Sequence, residues 1–139
     1  MKKFEFRLQR VLEYKELVVK WAKDAYLDTR VKRLECEAEV MALVHRRNEI
    51  LFERAVTIEE HQHIHVRLQT LDMRETEKRI MLQAIEADEQ ACLDVWHEKQ
   101  QEFESIAKLR EKDVASYQVQ LTRAEQAELD EWTSQRRAA

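Results

Sequence analysis

Neither glycine nor proline occurs anywhere in the 139 residues of the chain. Average usage would place roughly 17 of the two together in a chain this long. Without glycine there is no phosphate-cradling loop, no G-x-G-x-x-G, no type I′ hairpin turn and no glycine stop in the left-handed region. P-loop nucleotide hydrolysis and most β folds are excluded on that ground. Disorder is excluded on another: 44% of positions are apolar beside 37% charged, and disordered chains are poor in large apolar residues. Long helices and coiled coils have this balance.

Apolar residues recur at helical spacing. In the first half they run Phe4, Leu8, Val11, Tyr14, Val18, Trp21 and Ala25. The stripe then shifts to Leu27, Val31, Leu34, Ala38, Met41, Val44, Asn48, Leu51, Ala55 and Ile58. In the second half they run Met81, Ile85, Cys92, Trp96, Phe103, Ile106, Leu109, Val114, Tyr117, Leu121 and Ala124. Steps of three and four alternate, as a seam facing one neighbouring helix requires. Asn48, on this seam, reads as a register-fixing polar contact.

The place for a reversal is Thr57-Ile58-Glu59-Glu60, a Thr-x-x-Glu capping box flanked by Val56 and Ile58. Asp72-Met73-Arg74-Glu75 is a weaker site, and one unbroken helix is the remaining alternative. A turn near 57 divides a single coiled-coil domain over 1–139 into helix one, about 2–56, and helix two, about 58–136. The predicted fold is all-α, an antiparallel two-helix coiled coil with a first arm of about 80 Å. Facing residues then have numbers summing to about 117. Phe4 faces Val114, Leu8 faces Leu109, Val11 faces Ile106, Tyr14 faces Phe103 and Trp21 faces Trp96. Cys36 falls near Met81 and Cys92 near Ala25, levels about 16 Å apart, so no intramolecular disulfide is expected. Helix two outruns helix one beyond Val114. The overhang carries Tyr117, Leu121, Ala124, Leu129 and Trp132, a stripe that calls for a partner.

The net charge of −4 conceals an asymmetry: residues 1–34 hold 10 Lys/Arg against 5 Asp/Glu, while 35–139 hold 14 against 23. A basic end suits an acidic partner better than nucleic acid along a whole face. Two cysteines without C-x-x-C spacing give neither a metal knuckle nor a disulfide framework. No apolar run approaches the roughly 18 residues that span a bilayer, and Glu5, Arg7 and Arg10 interrupt any leader, so a cytoplasmic protein without membrane insertion is expected. His61 and His65 have i,i+4 metal-clamp spacing. No cysteine completes a site and Glu59 and Glu60 would have to help, so a solvated, pH-responsive tip is the reading taken and no metal or cofactor is expected. Catalysis needs convergent groups in a partly dry pocket, which a helix pair lacks. No catalytic residue is assigned.

The opening Phe4-Glu5-Phe6-Arg7-Leu8-Gln9-Arg10-Val11-Leu12-Glu13-Tyr14-Lys15-Glu16 resembles the N-terminus of the FliJ family, with its Phe-x-Phe-x-Leu-x-x-Val-Leu pattern. Trp96-His97-Glu98-Lys99, Leu109-Arg110-Glu111-Lys112 and the stretch from Glu125 to Glu128-Leu129-Asp130-Glu131 are similar to the family's C-terminal spacings. The resemblance implies a stalk of the flagellar type III export apparatus, similar in fold to the two-helix stalk of the F-type ATPase γ subunit. Such a stalk inserts into the hexameric export ATPase FliI, promotes its assembly and activity, and connects it to the export gate FlhA. Export chaperones are a further implied partner without an assignable motif here. The implied location is peripheral to the inner membrane at the flagellar base.

Carried onto this chain, the ring-binding residues are Phe4, Phe6, Arg7, Leu8, Gln9, Arg10, Val11 and Leu12, with Tyr117, Leu121, Leu129 and Trp132 from the overhang. Leu8, Val11 and Tyr117 also fit a core role; Arg7, Gln9 and Arg10 do not. The gate-binding region corresponds to Leu43, Ile50, Leu68 and Leu71, although Arg46, Arg67, Arg74 and Lys78 stand where the family is more apolar. Two other functions fit the same fold. One is the stalk of an injectisome or rotary ATPase, although a γ-like stalk carries an extra α/β domain for which this length leaves no room. The other is a structural coiled coil dimerising through its overhang.

Overall fold

The computed structural model describes residues 2–138, so Met1 and Ala139 of the expected domain lie outside the described residues. The fold is all-α, built from α1 (Gln9–Leu51) and α2 (Ile58–Ala138). The chain forms two compact units. One runs from Trp21 to Trp96; the other joins the residues up to Lys20 with those from His97 onward.

In the Trp21–Trp96 unit the two helices lie antiparallel around the connecting turn. Capping explains where that turn falls. The Glu60 amide donates to Thr57 Oγ1 at 3.1 Å, and the Glu60 carboxylate accepts from the amides of Val56 at 2.7 Å and Thr57 at 3.3 Å. The Thr57 and Glu60 amides are satisfied reciprocally, as the Thr-x-x-Glu spacing predicts, and the Val56 amide is a third that the same carboxylate takes up. The Val56 bond, then the Thr57 bond, hold the Glu60 carboxyl below its ordinary value. Glu59 and Glu60 in the first turn, with Arg136 and Arg137 in the last, complement the α2 dipole. α1 ends through i→i−3 bonds, from Phe52 N to Glu49 O and Glu53 N to Ile50 O, which tighten a last turn that has no glycine to close it. Among the described residues the reversal uses no positive φ.

The seam of α1 lies on a different face from the one the apolar residues trace. Buried or half-buried positions run Leu8, Leu12, Lys15, Val19, Ala22, Tyr26, Thr29, Arg33, Cys36, Val40, Leu43, Arg47 and Ile50. Steps of four and three alternate without exception, the heptad a/d pattern. Val11, Tyr14, Trp21, Leu27, Val31, Leu34 and Met41 are exposed instead, and Asn48 is exposed rather than a seam contact. The reason is polar pairing across the seam. Arg47 donates to Glu75 at 2.7 Å, Arg33 pairs with Glu89, and Thr29 lies 3.6 Å from Cys92. Arg33 is held above its ordinary value by Glu37 first and Glu89 second. Glu75, at 8% exposure, also accepts from Arg79 at 2.8 Å, which compensates its burial.

On α2 the expected stripe is mostly inward. Ile85, Cys92, Trp96, Phe103, Ile106, Val114, Tyr117, Leu121 and Ala124 are half-buried, while Met81 and Leu109 are exposed. Trp96 stacks on Tyr26, ring centroids 5.6 Å apart, rather than meeting Trp21. The register lies near the expected sum but mostly a few residues above it. Cys36 with Lys78 sums to 114 and Glu39 with Lys78 to 117, whereas Thr29 with Cys92 sums to 121 and Arg33 with Glu89, Arg47 with Glu75 and Tyr26 with Trp96 to 122. Cys36 and Cys92 are both free thiols.

Candidate functional site

In the unit that joins the two ends, residues 2–6 are not helical, and α1 begins at Gln9 rather than near residue 2. The alternation Lys3, Phe4, Glu5, Phe6 has the period of extended backbone. Phe6 is buried and Phe4 half-buried, with Lys3 and Glu5 exposed between and before them. Phe4 packs on Tyr117 at 5.4 Å between ring centroids, and the Arg110 guanidinium lies 6.0 Å from the Phe4 ring centre. Tyr117 Oη donates to the Lys2 carbonyl at 2.9 Å. The Gln9 side-chain amide bridges the two helices: its oxygen accepts from Arg110 Nε at 3.3 Å and its nitrogen donates to Glu13 at 3.3 Å. Farther along, Lys15 donates to Glu102 at 2.9 Å, and that bond holds the Glu102 carboxyl below its ordinary value.

The twelve residues carried over for the ATPase ring therefore divide. Phe4, Phe6 and Tyr117 are brought together as packing, and Leu8, Gln9, Leu12 and Leu121 are half-buried. Arg7, Arg10 and Val11 are exposed, as are Leu129 and Trp132. Val11, which fits a core role by spacing, faces outward because the seam uses Leu12. No ion pair involves Arg7 or Arg10 among the described residues. With Lys3 and Arg110 they line an open basic groove that also includes Glu5 and Glu13. From Glu125 to Ala138 every α2 residue is exposed, and Arg136 lies 5.1 Å from the Trp132 ring centre.

The four residues carried over for the gate do not form an outward surface. Ile50 and Leu71 are buried, and Leu43 and Leu68 are half-buried, because all four occupy seam positions. Among the cations around them, Arg67 pairs with Glu53 at 2.8 Å and Lys78 with Glu39 at 2.6 Å. Glu39 raises the Lys78 ammonium above its ordinary value. Spacing alone did not single out Phe52, Val56 and Ile58 as surface, yet they are 87%, 90% and 77% exposed. The signal was present: Val56 and Ile58 flank Thr57 of the capping box and Phe52 directly follows the end of α1, so all three lie where the chain leaves one helix and enters the next. His61, His63 and His65 are exposed, and no trio of His, Cys, Asp or Glu is grouped to hold a metal among the described residues. No helix among them is long and apolar enough to cross a membrane.

The fold is that of an all-α protein whose two long helices pair as an antiparallel hairpin. The family model for the flagellar FliJ protein matches residues 4–139. The chain belongs to the FliJ family and is a component of the flagellar export apparatus, in a structural rather than enzymatic family. Comparison with curated proteins and with solved structures finds no match.

Proposed function

We propose that the chain is a stalk that engages the hexameric export ATPase FliI through the unit holding both ends, stimulates its assembly and turnover, and links it to the export gate FlhA. The observation that carries this is the set of outward groups on that unit. Arg7 and Arg10 are exposed and form no ion pair among the described residues, and α2 continues with Leu129 and Trp132 uncovered. Guanidinium groups suit bidentate pairing with carboxylates on a ring lining, and an exposed tryptophan gains from burial. Phe4, Phe6 and Tyr117 serve here by holding the N-terminal segment against α2. The gate contact belongs to Phe52, Val56 and Ile58 in place of the seam residues Leu43, Ile50, Leu68 and Leu71. This assigns a cytoplasmic location peripheral to the inner membrane, with export chaperones as further partners.

The test adds the chain to purified flagellar ATPase and follows turnover and hexamer formation. Both rise if the proposal holds, and Arg7→Ala with Arg10→Ala lowers the stimulation while circular dichroism stays unchanged. No effect of the wild-type chain at micromolar concentration and modest salt overturns it. Phe52→Ser with Val56→Ser abolishes gate binding and leaves ATPase stimulation intact.

A further inference from the structure

The face of α1 turned away from the seam carries a second heptad. Leu27, Val31, Leu34, Ala38 and Met41 follow steps of four, three, four and three, and all five are exposed. Each lies two residues before a seam position, about 160° around the helix from α2. Leu34 and Met41 are 48% and 64% exposed. Asp24, His45 and Asn48 take up the same positions on either side, so the apolar stretch has defined ends. A stripe of this kind on a preformed helix is a docking seam without a partner in this chain.

We propose that the partner is a second copy of this chain, docked α1 to α1, parallel and in register. Residue choice at the core points to that pairing. β-Branched Val31 takes an a position and Leu27, Leu34 and Met41 take d positions, the combination that in a parallel coil favours two strands over three or four. The flanking charges point the same way. In a parallel pair, Lys23 faces Asp28 of the second copy and Arg30 faces its Glu35, and two-fold symmetry makes each contact twice. An antiparallel pair would instead set Asp28 against Glu35, like against like, and the opposing contact of Arg30 with Glu37 would compete with the ion pair Glu37 already makes with Arg33 at 2.8 Å. Lys23, Asp28, Arg30 and Glu35 are all exposed, and none has an ion pair among the described residues. The seam covers only about two heptads, fewer than an isolated coiled coil needs. Here α2 already holds α1 helical, so association does not have to supply the cost of helix nucleation. The face shares no residue with those proposed for the ATPase or the gate.

Sedimentation equilibrium of the full chain, 16.8 kDa as a monomer, tests this from low micromolar to several hundred micromolar. The mass is expected to rise toward the dimer with concentration, and Leu34→Glu to leave a monomer of unchanged helix content and unchanged ATPase stimulation. Arg30→Glu weakens association about tenfold, and adding Glu35→Arg restores it. Leu27→Cys crosslinks to itself on mild oxidation above the wild-type background, because equivalent d positions meet in a parallel pair. A monomer at every concentration overturns the proposal. So does a dimer indifferent to Leu34→Glu, or one abolished by Leu129→Ser with Trp132→Ser, which would place the contact on the overhang. Crosslinking of Leu27→Cys to Ala38→Cys but not to itself would overturn the parallel arrangement.

Discussion

Glu75→Gln is the sharpest probe of the charged seam. The wild-type carboxylate is 8% exposed and accepts from Arg47 at 2.7 Å and from Arg79 at 2.9 and 2.8 Å. The amide keeps the shape, removes the charge and turns one acceptor into a donor aimed at guanidinium groups. The one remaining acceptor oxygen can serve only one of Arg47 and Arg79. As a charged partner Arg47 keeps Asp72 alone among the described residues, at 3.4 Å, with its side chain 33% exposed. A buried charged pair broken on one side costs about 3–5 kcal/mol. Water reaching a third of Arg47 reduces this to about 1–2 kcal/mol. The double replacement Arg47→Met with Glu75→Leu removes both charges and fills the layer with apolar groups, so it is expected to match or exceed wild-type stability by about 1–3 kcal/mol. Urea unfolding followed by circular dichroism measures both variants. Glu75→Gln within about 0.5 kcal/mol of wild type, or a double variant less stable than the single, would refute a seam in which Glu75 compensates for burying Arg47.

Three further outcomes follow from local geometry. Thr57→Ala removes the side-chain acceptor for the Glu60 amide and should cost about 1 kcal/mol in urea unfolding, with faster amide exchange over 58–61; unchanged exchange there would mean the cap is not anchoring α2. Phe6→Ala should free the N-terminal segment for proteolysis while the α2 amides near 85 stay protected, at a cost of about 2–4 kcal/mol within that unit. Acid should loosen the cap and the Lys15–Glu102 pair. Both carboxyls lie below their ordinary value of 4.5 when folded, so their contribution is complete above that pH and lost as pH falls through the lower folded values. Glu60→Gln should flatten that acid dependence, measured as unfolding midpoint against pH.

Most of the architecture was legible in the residues, and the failures are specific. The capping box placed the reversal because three backbone amides near Thr57 depend on two side chains four residues apart or less. The α2 stripe was legible because its seam is largely apolar. The α1 face was missed because Lys15, Thr29, Arg33 and Arg47 occupy seam positions, and following apolar identity turned the helix outward. The unbroken alternation from Leu8 to Ile50 was the available signal. The four residues carried over for the gate fall on the seam for the same reason: Ile50 and Leu71 are buried because each faces the other's helix. The Phe4-x-Phe6 alternation likewise marked an extended segment rather than the first turn of a helix.

The sequence by itself determined that this protein is two long helices, where they break, and the level at which they meet to within a few residues. Those properties are local or periodic. Chain without glycine or proline extends helices, a Thr-x-x-Glu box starts one, and a fixed rise per residue carries the register outward from the turn. Tertiary structure decided which face of α1 is covered and which is left open. Arginine or lysine enters a seam only where a carboxylate stands opposite, and Glu75, Glu89 and Glu102 on α2 provide that pairing. Their position relative to Arg47, Arg33 and Lys15 exists only once the helices have met. The same choice leaves Leu27, Val31, Leu34, Ala38 and Met41 facing water.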